Sequence, residues 1–447
     1  MKFFFETYGC QMNVAESAAL KLTAKEHGWD ESENPEQADL ILINTCSVRN
    51  TAEERILGRL AHYAALKKKG KSFTLVLAGC MAERVGEKMK QDFPALDFAM
   101  GTSERSLFPA ILEAAAQGRP AAKAGKNMGL AEQPVKAGFT FSSSHLEEGS
   151  FRSFVPIMHG CNNFCSYCIV PYVRGREISR SPQEIAKEIH FLSEKGVREI
   201  TLLGQNVNSY KWEDKILFSK LLEFIANELK KTSIKWVRFL SSHPKDLSKE
   251  VIRVMAENPV FCRHLHLCVQ HGSDRILEAM NRRYTASQYK ELIQQLRAAM
   301  PDISISTDIL VGFPGETEED LEETLKLMDE VKFLYSYMYH FNPREGTAAY
   351  DLPGRVPDAI KRKRLARVIE LQKKHTQEQL KIRSGAEAVV LIEGISKKNA
   401  DELITRTERD EMAVVPGDSS WIGRFGKLTL KSLRGNTFRA RDLLLLD

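Results

Sequence analysis

The chain has 447 residues, of which 43% are hydrophobic and 28% charged, with eight cysteines and a formal net charge of +5. This composition is ordinary for a globular protein of about three domains, and so weak a positive charge does not by itself indicate a nucleic-acid partner. The apolar run at residues 3–5 is too short for a secretory signal, and no stretch is long enough to span a membrane. We therefore expect a cytoplasmic protein without membrane association.

The first segment alternates apolar strands with helices. Strands are predicted over 2–7, 39–45, 73–78 and 97–100, and helices over 14–27, 48–68, 82–91 and 104–115, the last with Ser103 as its N-cap. Continuous apolar strands between helices are typical of a parallel sheet covered on both faces. We expect residues 1–117 to form this α/β domain, and residues 118–149, which are rich in Ala, Gly, Lys and Ser, to be a linker.

Three cysteines occupy the same place in successive strand–helix units of this domain. Cys10, Cys46 and Cys80 each follow a strand and precede a helix. Because the carboxyl ends of the strands in an open α/β sheet meet at one edge, these distant residues should converge there. Structural cysteines more often lie inside strands, so the positions favour a three-thiolate cluster site.

A tighter group of cysteines, Cys161, Cys165 and Cys168, lies in the loop C-N-N-F-C-S-Y-C. Thiolates select iron–sulfur clusters or zinc, and a structural zinc site takes four closed ligands. A 4Fe–4S cluster held by three cysteines keeps one iron open for another ligand, which indicates catalysis. A disulfide fragment is disfavoured in a cytoplasmic protein. Zinc completed by a distant His or Cys remains an alternative.

From residue 150 to residue 380 the strand–helix alternation continues. Six strands are predicted over 154–158, 199–203, 235–241, 264–270, 304–311 and 336–341, with helices between them. Six strand–helix units predict a curved parallel sheet in the form of a partial (β/α)6 barrel, and not the closed eight-stranded barrel. Active sites of such sheets lie at the carboxyl ends of the strands, so the cysteine loop after the first strand should lie at the barrel mouth.

Polar residues and glycines follow the other strands of this predicted barrel. Glycine lets the backbone approach a ligand closely, although turns of this kind are normally rich in Gly and Asn. Together these residues fit a cofactor pocket, and the candidates for cofactor contact are Gly204, Gln205, Ser241, Gln270 and Gly312.

Four other residues of this segment are also assigned roles, and three of them have two interpretations. On the fourth strand Cys268 should share the inward face with His264 and His266, as a satisfied interior residue or near the site. Arg174 and Arg176 could contact phosphate or pair with Glu177 or another carboxylate. Cys262 is expected to be a core thiol.

The last part of the chain is the most basic. Between Arg355 and Arg383 there are ten Lys/Arg and three Asp/Glu on a helical pattern, which is either a solvated helix face or a phosphate-binding stripe. In residues 381–447, strands over 389–394, 403–407, 412–415, 428–433 and 438–443 predict a small antiparallel barrel. Such barrels often bind nucleic acid; a structural cap is the alternative.

These motifs resemble those of a known family. The segment G-C-N-N-F-C-S-Y-C-I-V-P-Y-V-R-G-R-E at 160–177 is similar to the radical S-adenosylmethionine methylthiotransferases. T-Y-G-C-Q-M-N at 7–13, N-T-C-S-V-R at 44–49 and G-C-M-A-E-R at 79–84 are most similar to the branch that modifies tRNA. The resemblance covers essentially the whole chain and implies a methylthiotransferase N-terminal domain, a radical core and a C-terminal TRAM domain.

The resemblance also implies ligands. Cys161, Cys165 and Cys168 would hold the 4Fe–4S cluster that binds S-adenosylmethionine, and the N-terminal cysteines would hold an auxiliary 4Fe–4S cluster associated with sulfur delivery. It implies no catalytic residue beyond these. The family strand H-L-P-V-Q-S-G reads H-L-C-V-Q-H-G here, so Cys268 and His271 depart from it at the expected cofactor contacts.

The implied reaction is methylthiolation at C2 of N6-(dimethylallyl)adenosine at position 37 of tRNA. Alternatives are N6-threonylcarbamoyladenosine of tRNA, an aspartate of a ribosomal protein or, in a different class, a non-catalytic iron–sulfur carrier or zinc-containing RNA-binding protein. The expected partners of a monomer are the anticodon stem-loop, an electron donor such as flavodoxin or ferredoxin, and a sulfur or Fe–S donor. Since sulfur must reach the radical, the N-terminal sheet edge should face the barrel mouth with the base flipped between them.

Overall fold

The computed structural model describes residues 1–47, 50–118 and 149–446. The linker predicted at 118–149 lies outside the described residues except at its two ends. The chain forms an N-terminal parallel sheet, a central curved set of parallel strands and a C-terminal closed barrel, as the sequence predicts. None of the described helices combines the length and the apolar character needed to cross a membrane.

The N-terminal sheet consists of apolar strands that alternate with helices. Its strands are Lys2–Tyr8 (β1), Asp30–Glu31 (β2), Leu40–Thr45 (β3), Thr74–Gly79 (β4) and Phe98–Met100 (β5). Its helices are Gln11–Glu26 (α1), Asn50–Lys68 (α2), Cys80–Asp92 (α3) and Phe108–Ala116 (α4). The strands are parallel in the order β2-β1-β3-β4-β5. Every residue of β3 is buried, because helices cover both faces of the sheet.

The starts of α1 and α4 differ most from the sequence prediction. Helix α1 begins at Gln11, so that Cys10 itself is its N-cap. A short 3-10 turn precedes α4 and Leu107 is the N-cap there, so the predicted Ser103 cap is wrong. The Ser103 hydroxyl donates to Glu83 Oε2 at 3.1 Å and is engaged away from the N–H groups of α4.

The central segment contains the predicted strand–helix repeat. Its strands are Arg152–Pro156 (β6), Met158–His159 (β7), Ile178–Ser179 (β8), Glu199–Leu203 (β9), Lys211–Trp212 (β10), Ile216–Leu217 (β11), Trp236–Phe239 (β12), His264–His266 (β13), Ser304–Val311 (β14) and Tyr335–His340 (β15). Its helices are Val170–Arg174 (α5), Pro182–Glu194 (α6), Phe218–Leu229 (α7), Lys249–Glu257 (α8), Asp274–Ala279 (α9), Ala286–Ala299 (α10), Glu318–Val331 (α11) and Asp358–Ile382 (α12).

Six of these strands form a partial barrel. They pair as two parallel sheets of three, β6-β9-β12 and β13-β14-β15. Single bridges from Val237 to Phe261 and from Ser242 to Leu267 join the two sheets. In the described part of the chain β6 and β15 are not paired with each other, so the barrel is open on that side.

The fourth barrel strand is shorter than predicted. Regular pairing covers His264–His266 and not the whole of 264–270. Leu267 instead forms an isolated bridge with Ser242, and the left-handed φ of 71° at Gln270 prevents an extended strand as far as residue 270. Gln270 keeps only an isolated bridge to Ile309.

The C-terminal strands close on themselves. They are Glu387–Ser396 (β16), Asn399–Thr407 (β17), Met412–Pro416 (β18), Phe425–Arg434 (β19) and Thr437–Leu445 (β20), and they close in the order β16-β17-β18-β20-β19. Every pair is antiparallel except β18 with β20. That pair is parallel because β19 lies against β16 to complete the barrel, which brings β20 beside β18.

The C-terminal barrel covers the end of the central barrel opposite to the cysteine loop. Arg238 on β12 donates from Nε to Glu199 Oε2 at 3.0 Å and from Nη2 to the Thr407 carbonyl at 2.8 Å. Arg406 on β17 donates to Glu199 Oε1 at 2.6 Å. Since Glu199 is the first residue of β9, these contacts lie at the amino ends of the strands and leave the mouth free.

Candidate functional site

The three N-terminal cysteines meet at one point of the sheet edge. Cys10 is the N-cap of α1, Cys80 is the first residue of α3, and Cys46 directly follows β3. The Cys46 side chain is in hydrogen-bonding contact with both other thiols. Residues far apart in sequence thus lie side by side, because parallel strands end at a common edge.

Two buried asparagines hold the strand ends around these thiols. Asn13 Nδ2 donates to Asn44 Oδ1 at 3.1 Å, and Asn44 Nδ2 donates to the Asn13 carbonyl at 3.0 Å. The Cys10 thiol donates to Asn13 Oδ1 at 3.3 Å. Gly79, just before Cys80, has a φ of 91°, and a Cβ there would lie 2.4 Å from Asn44 Oδ1. Only glycine fits between these strand ends.

A buried ion pair joins the central barrel to the N-terminal domain beside the thiols. Arg174, the last residue of α5, donates from Nη1 to Glu16 Oε1 on α1 at 2.7 Å. Of the two interpretations of Arg174, the structure therefore supports the ion pair, with Glu16 and not Glu177 as its partner. The Arg176 guanidinium lies 4.5 Å from the centre of the Phe164 ring.

This environment favours the charged form of part of the N-terminal trio. A hydrogen bond from Cys46 and the nearby Arg174 cation lower the pKa of Cys10 to about 6. The same two partners lower the pKa of Cys80. The pKa of Cys46 is raised, because its thiol donates between two sulfur neighbours. Since the thiolate is the form that binds metal, these pKa shifts favour metal binding by Cys10 and Cys80.

The Cys161–Cys168 loop is held by the segment that follows α9. Asn281 Nδ2 donates to the Phe164 carbonyl at 2.9 Å, and the Ser166 N–H donates to the Met280 carbonyl at 3.0 Å. Gly160, with a φ of 79°, begins the loop, and a Cβ there would lie 2.1 Å from the Arg176 carbonyl oxygen. The loop conformation is therefore set before any ligand binds.

Arg282 is a residue of this site that sequence reasoning missed. Its Nη1 donates to Cys165 Sγ at 3.3 Å, its Nη2 to the Cys268 carbonyl at 2.7 Å and its Nε to the Tyr284 hydroxyl at 3.0 Å. A buried cation beside a sulfur stabilises the thiolate. The two residues are 117 positions apart, and no spacing pattern connects them.

Burial keeps two of the loop thiols in their neutral form. All eight cysteines are free thiols. Burial raises the pKa of Cys161 to about 11 and that of Cys168 to about 12. Without metal these two thiols stay protonated at neutral pH, and metal binding would supply the charge that displaces their protons.

A cavity of about 180 Å³ lies between the N-terminal sheet edge and the barrel mouth. The N-terminal thiols line one wall, and Gly204, Gln205 and Ser241 line the other. Gln205 Oε1 is buried and has no hydrogen-bond partner among the described residues. The carbonyl oxygen of this amide is thus available to a ligand that carries a donor, such as an ammonium group.

The other two candidate cofactor residues lie outside this lining. Gln270 is buried beyond the end of β13. At Gly312 a Cβ would lie 2.4 Å from Lys361 Cγ, so close packing of α12 explains the glycine. Their roles in cofactor binding stay predictions.

His271 and Cys268, the two residues that depart from the family motif, lie in different surroundings from each other. His271 is fully buried, accepts a hydrogen bond from the Ser273 N–H at Nδ1 at 3.1 Å, and lies 3.2 Å from the Thr324 hydroxyl. It therefore fixes the turn after the fourth strand. Cys268 lies in the barrel lumen beside His266. Cys262 is a buried core thiol, as expected.

Some basic residues of helix α12 form ion pairs and hydrogen bonds with neighbouring elements, and others are exposed. Arg364 Nη1 lies 2.9 Å from Glu316 Oε1, Arg367 pairs with two glutamates of α11, and Lys361 Nζ donates to the Phe341 carbonyl at 3.1 Å. The exposed basic residues of the helix are Arg362, Lys363, Lys373, Lys374 and Lys381. We name these five residues the basic face.

Comparisons with known proteins agree with this architecture. Residues 155–328 match the Radical SAM superfamily, residues 2–101 match the family described as Uncharacterized protein family UPF0004, and residues 383–441 match the TRAM domain. The fold is similar to that of the radical S-adenosylmethionine methyltransferase TsrM from Kitasatospora setae, with a TM-score of 0.58 and 13% identity over 78% of this chain and 74% of that chain. The fold and the three-cysteine loop define a radical S-adenosylmethionine enzyme, which implies a 4Fe–4S cluster and S-adenosylmethionine.

Curated relatives narrow this class. The tRNA-2-methylthio-N(6)-dimethylallyladenosine synthase of Treponema denticola is 51% identical over 98% of this chain and 99% of its own length. The proteins of the same name from Treponema pallidum (strain Nichols) and Thermoanaerobacter sp. are 49% and 42% identical, each over 98% of this chain and over 98% and 92% of their own lengths. The chain belongs to the family of tRNA-2-methylthio-N(6)-dimethylallyladenosine synthases, and the resemblance found from its motifs is confirmed.

Proposed function

We propose that this chain methylthiolates C2 of N6-(dimethylallyl)adenosine at position 37 of tRNA, giving 2-methylthio-N6-(dimethylallyl)adenosine. The observation that carries the proposal is the shared cavity, which has the N-terminal thiols on one wall and barrel-mouth residues on the other. A sulfur site and a radical site can act on one substrate atom only if they face each other. The names of the relatives supply the substrate.

Each cofactor has a set of residues that fits it. Cys161, Cys165 and Cys168 would hold the cluster that binds S-adenosylmethionine, and the N-terminal thiols would hold a second 4Fe–4S cluster. With S-adenosylmethionine, such a cluster supplies a carbon radical that removes hydrogen from an unactivated C–H bond. A radical is warranted because C2 of adenine is a poor site for nucleophilic attack.

The chain's own residues bind and orient the cofactors, and they exclude water from the site. Gln205 Oε1 would accept a hydrogen bond from the ammonium group of S-adenosylmethionine, because this buried oxygen has no partner among the described residues. Arg282 would hold the Cys165 sulfur in place through the hydrogen bond from its Nη1. The cavity wall also includes Ile169, Val173 and Leu203, whose apolar side chains keep water from the reacting atoms.

The substrate and partners follow from the same layout. The base at position 37 would be flipped from the anticodon stem-loop into the cavity. The basic face of α12 and the C-terminal barrel would contact the tRNA backbone. We further propose an electron donor of the flavodoxin or ferredoxin type, a sulfur or Fe–S donor, and a monomer that acts in the cytoplasm.

Iron analysis tests the two-cluster part of the proposal. Anaerobic reconstitution should give about eight irons per chain, and replacing the three N-terminal cysteines with alanine should leave about four. A value of four in the unmodified chain, unchanged by those replacements, would remove the auxiliary cluster.

Nucleoside analysis tests the substrate. In a strain that lacks the gene, mass spectrometry of tRNA nucleosides should show loss of 2-methylthio-N6-(dimethylallyl)adenosine, restored by the wild-type gene and not by a Cys165→Ala variant. Unchanged levels would favour the threonylcarbamoyladenosine or ribosomal-protein substrates. Failure of the reduced protein to form 5′-deoxyadenosine from S-adenosylmethionine would instead favour a non-catalytic carrier or zinc protein.

A further inference from the structure

The barrel lumen holds three metal-ligating side chains that the proposed reaction does not use. His266 Nε2 lies 3.2 Å from Cys268 Sγ and 3.6 Å from Asp308 Oδ2. The three ligand atoms all lie within 4.8 Å of one another. We name His266, Cys268 and Asp308 the lumen trio. They come from β13, its continuation and the neighbouring strand β14, so the inward faces of two paired strands bring them together.

A second layer of hydrogen bonds fixes the histidine of the trio. His266 Nδ1 lies 3.0 Å from Ser306 Oγ, and the same hydroxyl lies 2.8 Å from His264 Nε2. The Tyr335 hydroxyl lies 3.2 Å from that His264 nitrogen and donates to Asp410 Oδ2 of the C-terminal barrel at 2.6 Å. Because Nδ1 is engaged, Nε2 is the nitrogen presented to the other two members. Metal-binding histidines are oriented in this way by their second ring nitrogen.

The distances suit a small tetrahedral ion. Ligands bonded to Zn²⁺ at about 2.0–2.3 Å with tetrahedral angles lie about 3.3–3.6 Å apart. The separations of 3.2 and 3.6 Å from His266 Nε2 are close to these values, and the remaining pair of ligand atoms, which lies within 4.8 Å, would have to adjust its side chains.

The charges suit a dication. A thiolate, a carboxylate and a neutral imidazole carry two negative charges, so a divalent ion makes the group neutral. A mixture of sulfur, nitrogen and oxygen donors is typical of zinc and related transition metals and not of magnesium or calcium. The side chains of His266 and Asp308 are 10% and 26% exposed, so an ion can reach them.

We propose that the lumen trio binds one divalent ion of the zinc class, with three protein ligands and an open fourth position that faces the lumen. This site is separate from the six cysteines assigned to the clusters. It uses Cys268, the residue at which this chain departs from the family motif. The proposal does not depend on the reaction that the enzyme catalyses.

The test uses full-length protein in which both clusters have been assembled anaerobically, so that iron protects the six cluster cysteines. Zn²⁺ is added together with a competing chromophoric chelator, the bound zinc and iron are counted, and the zinc environment is measured by X-ray absorption. We expect one zinc per chain with one sulfur at about 2.3 Å and nitrogen or oxygen at about 2.0–2.1 Å. Iron content should not change.

Three variants give the proposal its controls. Asp308→Asn keeps the shape of the side chain and Cys268→Ala removes the thiolate; each should lower zinc affinity at least tenfold. Cys262→Ser removes another buried cysteine, which is outside the group of three metal-ligating side chains found in the described part of the chain, and should leave the affinity unchanged. The proposal is overturned if the wild-type protein holds no zinc beyond the clusters, which would make the trio a thiol–imidazole hydrogen bond. It is also overturned if both trio variants keep full affinity or if the zinc shows three or four sulfur neighbours.

Discussion

The ion pair between Glu16 and Arg174 should be the polar contact between the N-terminal domain and the barrel whose loss costs the most stability. Both residues are nearly fully buried, at 4% and 6% exposure. A second cation, Arg105, lies 3.8 Å from the same Glu16 oxygen. Substitution of Glu16 by Gln keeps the shape of the side chain and leaves two buried guanidinium groups without their carboxylate. Breaking a buried pair in this way costs about 3–5 kcal/mol.

Hydrogen exchange measures this loss locally. Helix α1 carries Glu16 and packs Met12 and Ala15 against Leu203 of the barrel. In cluster-free protein the α1 amides of Glu16→Gln should therefore exchange about 100- to 4,000-fold faster, since about 1.4 kcal/mol is a factor of ten. The double variant Glu16→Met with Arg174→Met should recover much of the protection, because apolar residues of similar volume remove both charges.

An exposed ion pair provides the matched control. Lys211 and Asp214 are paired at 2.8 Å with exposed side chains, and Asp214→Asn should leave exchange throughout the chain unchanged. If Glu16→Gln also leaves α1 protection within a few-fold of the wild type, the pair does not hold the two domains together. The N-terminal thiols would then be kept against the barrel mouth by other contacts.

Three further predictions concern the thiols and the tRNA surface. In cluster-free protein at pH 7, iodoacetamide should label Cys10, with a pKa of about 6, before Cys161, with a pKa of about 11, by about 50-fold once the lower nucleophilicity of the more acidic thiol is counted. The two rates should become equal at about pH 9, and Cys161 should react faster above that pH, because its thiolate is intrinsically the more nucleophilic one. Equal rates at pH 7 in peptide mass spectrometry would contradict the charge assignment. Arg282→Met should weaken retention of the cluster at the Cys161–Cys168 loop about tenfold or more, because a charged hydrogen bond is worth about 1.5–3 kcal/mol. The loss of iron to a chelator measures this retention. As a control, Arg253→Met on exposed α8 should have no effect. Replacement of Lys363, Lys373 and Lys374 by alanine should weaken tRNA binding. It should also reduce the slope of the logarithm of the binding constant against the logarithm of salt concentration by up to about 0.9 for each phosphate that is no longer neutralised. Alanine at exposed Lys220, Lys230 and Lys249 should change neither quantity, and equal slopes for both triple variants would show that the basic face does not contact tRNA.

The sequence by itself determined the elements of the fold and the positions of the N-terminal cysteines at the ends of its strands. The strand Ser304–Val311 has the predicted limits, because hydrophobic patterning is a local signal. The convergence of Cys10, Cys46 and Cys80 could also be predicted, because a topological rule brings parallel strand ends to one edge.

Local signals failed where a contact depends on how separate elements dock. Gln270 and Gly312 follow strands like Gly204 and Gln205, yet only the latter pair lines the cavity. The backbone turn at Gln270 and the packing of α12 on Gly312 decide that difference, and neither has a signal in the spacing of residues.

Only the tertiary structure decided the charges around the sulfurs. Arg282 meets Cys165 across 117 positions, and Arg174 meets Glu16 across 158. The closure of the barrel's lower end by Arg238, Glu199 and Arg406 is of the same kind. Whether a buried ion pair forms, and how stable it is, depends on the geometry in which two packed elements place opposite charges, and not on the separation of the residues along the chain. Its partners therefore become known only when the packing is known.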